Sequence, residues 1–316
     1  MRPQARLPSP AFALIAMLAS LAAVAESAAD LPHPHTREEL EREQAHAEGH
    51  GEPTEEEQRD IDREIAAEEE ARAQLADTAP PAPPAPPPFS VEAIVGHSRS
   101  ISMGTANRGL LRRGVPMPRL PVVRVISAAR GEHFGTAELV TLIVAGAEAV
   151  SASAPGSQLV VGDLSREGGG RIRPHQSHRS GRDVDLGFYV LDHQRRALPA
   201  GPGFVSMSNQ LMGTHRGSLY AFDVARNWTL VEALLTHPDV QPQYIFVANP
   251  IIAALLAHAR RQRVSADVLT RAEAVMRQPR GSPHRSHFHL RIFCPRDDVP
   301  SCEDDPPFYP WTRRTP

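Results

Sequence analysis

Pro174-His-Gln-Ser-His-Arg-Ser-Gly-Arg-Asp-Val-Asp-Leu-Gly-Phe-Tyr-Val190 changes character halfway along. Up to Arg182 it is polar, carries two imidazoles, His175 and His178, and reads as a loop. From Asp183 it alternates and then runs apolar to Val190, which reads as a central strand. Side chains alternate across a strand, so Val184 and Leu186 face a core while Asp183 and Asp185 share the other face. The complementary stretch lies far downstream: Ser282-Pro-His-Arg-Ser-His-Phe-His-Leu-Arg-Ile-Phe293. It ends in a second alternating strand from Ser286, with His287 and His289 on one side and Phe288 on the buried side. With His284, the two stretches offer five imidazoles and two carboxylates, a donor set suited to a borderline metal such as zinc.

Working outward, apolar periodicity assigns most of the body. Pro121–Ile126 and Gln158–Gly162 read as strands, and residues 101–120, rich in Gly, Pro and Arg, as loop. Thr136 to about Val150 repeats apolar residues at helical spacing (Leu139, Ile143, Val144, Ala147). Arg166–Arg173, with Gly168-Gly169-Gly170, reads as a mobile loop leading into the first histidines. Asn227–Thr236 is predicted as a helix and Gln243–Val247 as a strand. Asn249 is expected to cap, and Pro250 to open, a helix reaching about Arg263, and a further helix is expected over Ser265–Met276. Strands and helices interleave without a strict βαβ rhythm. The expected fold is therefore α+β: a largely antiparallel sheet with flanking helices, and the metal site on the sheet.

The N-terminal third has a different composition. Arg2 and Arg6, an apolar run from Ala11 and the Ala23-Val24-Ala25 triplet read as a secretory signal over 1–25, with a membrane anchor as the alternative. No cysteine stands near Ala25, which excludes lipid attachment there, and no later stretch is apolar enough to span a membrane. Residues 26–78 carry 18 Asp/Glu against 5 Arg, and the chain as a whole is at −3, so residues 79–316 are at +8 once Arg2 and Arg6 are set aside. Residues 26–78 lack an apolar stripe and read as disordered or marginally helical; the run Ala79–Pro88 reads as a stiff, extended polyproline spacer. The folded body is expected over 89–316. A basic body suits an anionic partner, and an exported protein meets cell wall before nucleic acid. Cys294 and Cys302 are the two cysteines of an exported chain and read as one disulfide, with paired thiolate ligands as the alternative.

A zinc hydrolase needs about three protein ligands, an open position for water and a nearby proton acceptor. His178 and Asp185 are near enough in sequence for the loop to fold over the strand. Asp183, in phase with Asp185, is placed to hold an imidazole tautomer. One of His287 and His289 can bind metal while the other accepts a proton. The chain has no His-Glu-x-x-His helix, which excludes that type of zinc protease.

These motifs in order, His175-x-Ser177-His178-x-x-Gly181-x-Asp183-Val184-Asp185 and then His284-x-x-His287-x-His289, resemble the penicillin-insensitive murein endopeptidase family. That family lies within the superfamily of lysostaphin-type, D-alanyl-D-alanine metallopeptidase and hedgehog domains. The resemblance runs from about Ser100 to Glu303. It includes Gly162-Asp163, Ile245–Pro250 and the Cys294-Pro295…Cys302-Glu303-Asp304 tail. It implies zinc bound by His178, Asp185 and His289, with His175 a further ligand, His287 as general base and His284 beside it. It also implies cleavage of peptide cross-links in peptidoglycan, and a periplasmic location. Arg179 and Arg182 depart from the family pattern and are positioned to meet an anionic peptide, or else are solvated. The rival functions are a zinc D,D- or L,D-carboxypeptidase and a non-catalytic wall-binding zinc domain. No Glu precedes the last histidines, which favours the endopeptidase, and retention of His287 argues against loss of catalysis.

Overall fold

The computed structural model describes residues 99–280 and 282–312. The expected signal segment, the acidic arm, the proline-rich spacer and the start of the body at Phe89 all lie outside the described residues.

The N-terminal part of the body holds β1 (Ile101–Met103), β2 (Leu110–Arg112), β3 (Val115–Pro116), β4 (Val123–Val125) and β5 (Phe134–Gly135). Helix α1 (Ala137–Ser153) and β6 (Leu159–Val161) follow, then β7 (Asp183–Gly187), β8 (Val190–Leu191) and the hairpin β9 (Met212–His215) and β10 (Ser218–Phe222). The C-terminal half runs α2 (Val224–Thr236), β11 (Pro242–Phe246), α3 (Asn249–Arg261), α4 (Ala266–Val275), β12 (Met276–Arg277) and β13 (His287–Ile292).

Six strands form the main sheet in the order β12-β11-β13-β7-β6-β4. Its central junctions, β11–β13, β13–β7 and β7–β6, are antiparallel, while the outermost pairs β12–β11 and β4–β6 are parallel. The mixed α+β architecture with a mostly antiparallel sheet agrees with the sequence reading. On one face of the sheet, Val184, Leu186, Phe288, Leu290 and Ile292 join Leu139, Ile143, Leu230 and Leu234 of the helices in one continuous core. Each large apolar side chain buried there contributes about 1.5–3 kcal/mol. α1 packs on α2, and α2 on α3 and α4. The opposite face of the sheet is left for chemistry.

The structure corrects several local expectations. Residues 101–120 are not all loop: they hold β1, β2 and β3. These short strands are held by distant residues, with Ser102 N donating to Asp298 Oδ2 (2.7 Å) and Gly104 N to the Ser301 carbonyl (2.7 Å). The strand expected over Asp183–Val190 is cut at Phe188-Tyr189. There the side chain of Asn227 accepts from Tyr189 N (3.0 Å) and donates to its carbonyl (2.7 Å), in place of a neighbouring strand. Beyond that break β8 joins a separate sheet with β10 and β9. α2 starts at Val224, ahead of the expected Asn227, because Asp223 caps it through the Arg226 N–H (3.2 Å). Asn249 lies inside α3; Ala248 precedes the helix and makes no side-chain cap. The β9–β10 hairpin was not anticipated. Its two-residue turn, Arg216-Gly217, has both φ positive (47° and 79°), the left-handed pair that suits a tight hairpin.

The glycine-rich segment is tied down. Gly169, at φ 70°, bridges to Leu110, and a side chain there would meet the Arg179 carbonyl at 2.2 Å. Only glycine lets the loop pass that close to its neighbours.

Candidate metal centre

The register of β7 against β13 builds the site. Asp185 pairs with His289, Asp183 with Arg291 and Gly187 with His287. Directly opposed residues share a face, so the two carboxylates, the two histidines and Arg291 all stand on the side away from the helices. β11 adds Phe246 opposite His289 and Tyr244 opposite Arg291, which wall that side with stacked rings 4.7 Å apart. Phe204 closes another side and stacks on His287 at 4.7 Å.

The loop histidines are brought in by the chain after β6. His178 adopts a left-handed backbone, φ 59°. It is held there by Ser165 Oγ, which donates to its carbonyl (2.5 Å), and by its own Nδ1, which donates to the Leu164 carbonyl (2.9 Å). A carbonyl can only accept, so Nδ1 carries a proton and Nε2 is the nitrogen left to take a ligand or a second proton. The same logic applies around the site. His175 Nε2 donates to Asp163 Oδ2 (2.8 Å), His289 Nε2 to Asp183 Oδ1 (3.0 Å) and His284 Nδ1 to the Ser282 carbonyl (2.8 Å). Each ring therefore turns its other nitrogen out as a ligand or base. This outer ring of acceptors is the arrangement that metal-binding imidazoles use.

The donor atoms converge on Asp185. Its Oδ1 lies 3.3 Å from His289 Nδ1, 3.5 Å from His178 Nε2 and 3.5 Å from His287 Nε2. Two donors on one tetrahedral zinc, bonded at ~2.0–2.1 Å, stand ~3.3–3.4 Å apart, so each imidazole nitrogen is spaced from Asp185 Oδ1 as a second ligand of one ion would be. His175, His178 and Asp185 form a compact candidate metal triad, with one ligand atom from each within 4.8 Å of the others. The His178 ring lies 4.4 Å from that of His175 and 4.7 Å from that of His289, between the two.

The charges are arranged in the same sense. Arg130 sits on Asp163 and Arg291 on Asp183, whereas Asp185 faces imidazoles. Burial alone would raise the Asp183 carboxyl, but Arg291 and His289 outweigh it and hold it well below the carboxylate range. Asp185 is likewise held well below that range: burial opposes ionisation, and His178 and His287 overcome it. Burial would lower His178, yet Asp185, with Asp183 and Asp163 behind it, holds that imidazole up to about 9. A field that retains a proton this firmly is one in which a cation competes well for the same lone pair. His287 is pushed down to about 4, mainly by burial, so at neutral pH it is an uncharged acceptor. His284 is also lowered well below its ordinary value, by burial and then by His287 and His289.

The structure brings together His175, His178, Asp183, Asp185, His284, His287 and His289. Arg182 is a correction. It is 1% exposed, donates to Asp304 (2.6 Å) and the Glu303 carbonyl (3.0 Å), and so ties the tail to the sheet instead of meeting a peptide. Arg179 is half-buried, and its carbonyl accepts from Gly170 N (2.8 Å). Cys294 and Cys302 form the expected disulfide. Sequence reasoning did not assign Asp163, Phe204 or Arg291. Arg291 was within reach, since it continues the two-residue period of His287 and His289. Asp163 and Phe204 are set by loop paths that no local pattern announces.

Fold and site together define a mixed α+β protein with a buried His-His-Asp cluster on the free face of its sheet. The chain belongs to the penicillin-insensitive murein endopeptidase family, whose profile matches residues 102–311. Membership makes it a peptide-bond hydrolase. Proteins of that name from Escherichia coli O157:H7 and Escherichia coli (strain K12 / DH10B) are each 27% identical over 212 residues, covering 65% of this chain and 70% of theirs. The Shigella boydii serotype 18 (strain CDC 3083-94 / BS512) protein of the same name matches to the same extent. Among the described residues no helix is long and apolar enough to cross a membrane.

Proposed function

We propose that this chain is a zinc-dependent endopeptidase that hydrolyses D-alanyl–diaminopimelyl cross-links of peptidoglycan. In this reading it is exported by residues 1–25 to the periplasm, carries an acidic and proline-rich arm over 26–88, and acts through its body, 89–316. The observation that carries the reading is the convergence of three imidazole nitrogens on Asp185 Oδ1 at 3.3–3.5 Å within a murein endopeptidase fold.

His178, Asp185 and His289 would hold the ion, with His175 as a further ligand. Bound by these residues, a zinc ion would supply Lewis acidity for the scissile carbonyl and for the attacking water. The protein's own groups do the rest. Asp183 and the Leu164 carbonyl hold the far ring nitrogens of His289 and His178, which fixes the rings and makes the ligating nitrogens stronger donors. His287, neutral at pH 7, takes a proton at Nε2 while Phe204 fixes the plane of its ring. His284, 5.3 Å from the His287 ring, is the second neutral imidazole on that side and is suited to pass the proton toward the leaving amine. The stacked Tyr244 and Phe246 exclude water from the far wall.

Purified protein incubated with cross-linked muropeptide dimers tests the reading. Dimers should become monomers with zinc and stay intact with a chelator. Release of a terminal D-alanine with dimers still joined would make the protein a carboxypeptidase, and unchanged dimers would make it a wall-binding domain.

A further inference from the structure

Beside the histidine segment opens a cleft of about 580 Å³, lined by Ser206, Ser208, Asn209, Thr214, Leu219 and Arg285 among others. It is shallow and open to solvent over most of its face, the form of a groove that takes an extended peptide and not of an enclosed pocket. Its walls are the loop after Phe204 and the β9–β10 hairpin. The same loop is bound to the site: Phe204 stacks on His287, and Met207 N donates to the Arg285 carbonyl (2.9 Å). Arg285 itself lies in sequence between His284 and His287. The cleft and the proposed proton-transfer groups are therefore held by one loop.

The guanidinium of Arg285 is held at one nitrogen. Nη1 donates to the Met207 carbonyl (3.2 Å) and to Asn209 Oδ1 (3.0 Å). Those bonds orient the planar group, while Nε and Nη2 make no hydrogen bond or ion pair among the described residues. Arg130, Arg182, Arg226 and Arg291 each rest on a carboxylate of the chain, while the half-buried Arg124 and Arg277 rest on the carbonyls of Gly201 and Ala274. Arg285 instead faces a cleft whose other polar lining is hydroxyl and amide. A half-buried, pre-oriented guanidinium that lines an open depression with two nitrogens not taken up by the chain matches the two oxygens of a carboxylate.

We infer that Arg285 binds a free carboxylate of the stem peptide and so sets the register of the cross-link against His287. The inference rests on the murein reading above and deepens it. A cross-linked dimer carries several free carboxylates, of which two lie on the diaminopimelyl–D-alanine end of the acceptor stem, and Arg285 is assigned to one of these: the diaminopimelyl carboxylate on the carbon that bears the scissile nitrogen, or the terminal D-alanine carboxylate. The uncharged remainder of the cleft suits the peptide amides between them.

The test uses three dimers: unmodified, amidated at the diaminopimelyl carboxylate, and amidated at the terminal D-alanine. Each is offered to zinc-loaded wild type, Arg285→Lys and Arg285→Gln, with the thermal midpoint of each variant measured alongside. Wild type should lose about 10–100-fold in kcat/KM on one of the two carboxamides, which identifies the bound carboxylate. Arg285→Gln should be equally slow on that carboxamide and on the unmodified dimer, and Arg285→Lys should lie between it and wild type. Equal wild-type rates on all three dimers, or discrimination that survives in Arg285→Gln, overturns this inference and leaves the murein reading standing. A wild type that cuts none of the dimers overturns both.

Discussion

Replacing Asp183 by asparagine keeps the shape of the side chain and removes its charge. In the wild type one oxygen, Oδ1, accepts from Arg291 Nε at 2.7 Å and from His289 Nε2 at 3.0 Å, with the carboxylate fully buried. The amide oxygen can still accept, but Arg291, itself 4% exposed, is then left with only neutral partners: that amide, Asn107 Oδ1 at 3.5 Å and the Tyr244 ring. Breaking a buried ion pair from one side costs about 3–5 kcal/mol. The second effect is on the metal. A neutral amide makes His289 a weaker ligand than a carboxylate does, and loss of such an outer partner costs roughly 10–100-fold in metal affinity. The sign with pH follows from the depressed carboxyl. Its contribution is fully present above the unfolded value of about 3.9 and is lost as pH falls below it, so the gap between wild type and Asp183→Asn closes in acid. Urea unfolding of the metal-free proteins at several pH values isolates the stability term from zinc linkage, and competition with a chelator gives the affinity. Equal urea midpoints at neutral pH, or a stability gap that persists unchanged below pH ~4, would refute the charge argument.

His289→Ala should lose both zinc and turnover, whereas His287→Ala should keep zinc and lose ~10²–10⁴-fold in rate; zinc stoichiometry measured beside turnover decides between ligand and base. Alkylation without reductant should label neither Cys294 nor Cys302. The double Ser variant should lose about 2.5 kcal/mol in urea unfolding, the loop-closure value for a sequence separation of 8. A chain starting at Phe89 should fold and cleave soluble dimers at the full-length rate; failure to fold would move the boundary of the body into the arm.

The strands that carry the chemistry were legible because their pattern is local. Asp183–Gly187 and His287–Ile292 alternate polar and apolar residues, and alternation alone says which side chains share a face. What the sequence could not disclose depends on partners far along the chain. The strand through Phe188-Tyr189 breaks because Asn227, 38 residues later, takes both backbone groups of Tyr189. Arg182 looks like a surface cation in its own segment. It is buried because Asp304 and the Glu303 carbonyl, from the disulfide-bounded tail, fold back onto it. β1 and β2 contain three residues each; β1 takes its support from the same tail, and β2 from β1 and the Gly168–Gly169 backbone. Asp163 was visible as a strand-end residue, but its hydrogen bond to His175 needs the positive-φ turns of the intervening loop.

The join between the two halves of the site follows from the core. β7 presents Val184 and Leu186 to the helices, and β13 presents Phe288, Leu290 and Ile292. A slip of one residue between these strands would put Phe288 opposite Asp185 and His289 opposite Val184, driving an imidazole into the apolar layer and a phenyl ring among the carboxylates. Because the side-chain period is two, that slip inverts every residue of the strand at once, so burial of the apolar set admits only registers that keep the carboxylates and histidines on one face. Among those, the pairing of His289 with Asp185 also sets Arg291 opposite Asp183, which neutralises the second carboxylate and leaves Asp185 to the imidazoles. The apolar residues beneath the helices thus decide which nitrogens meet Asp185.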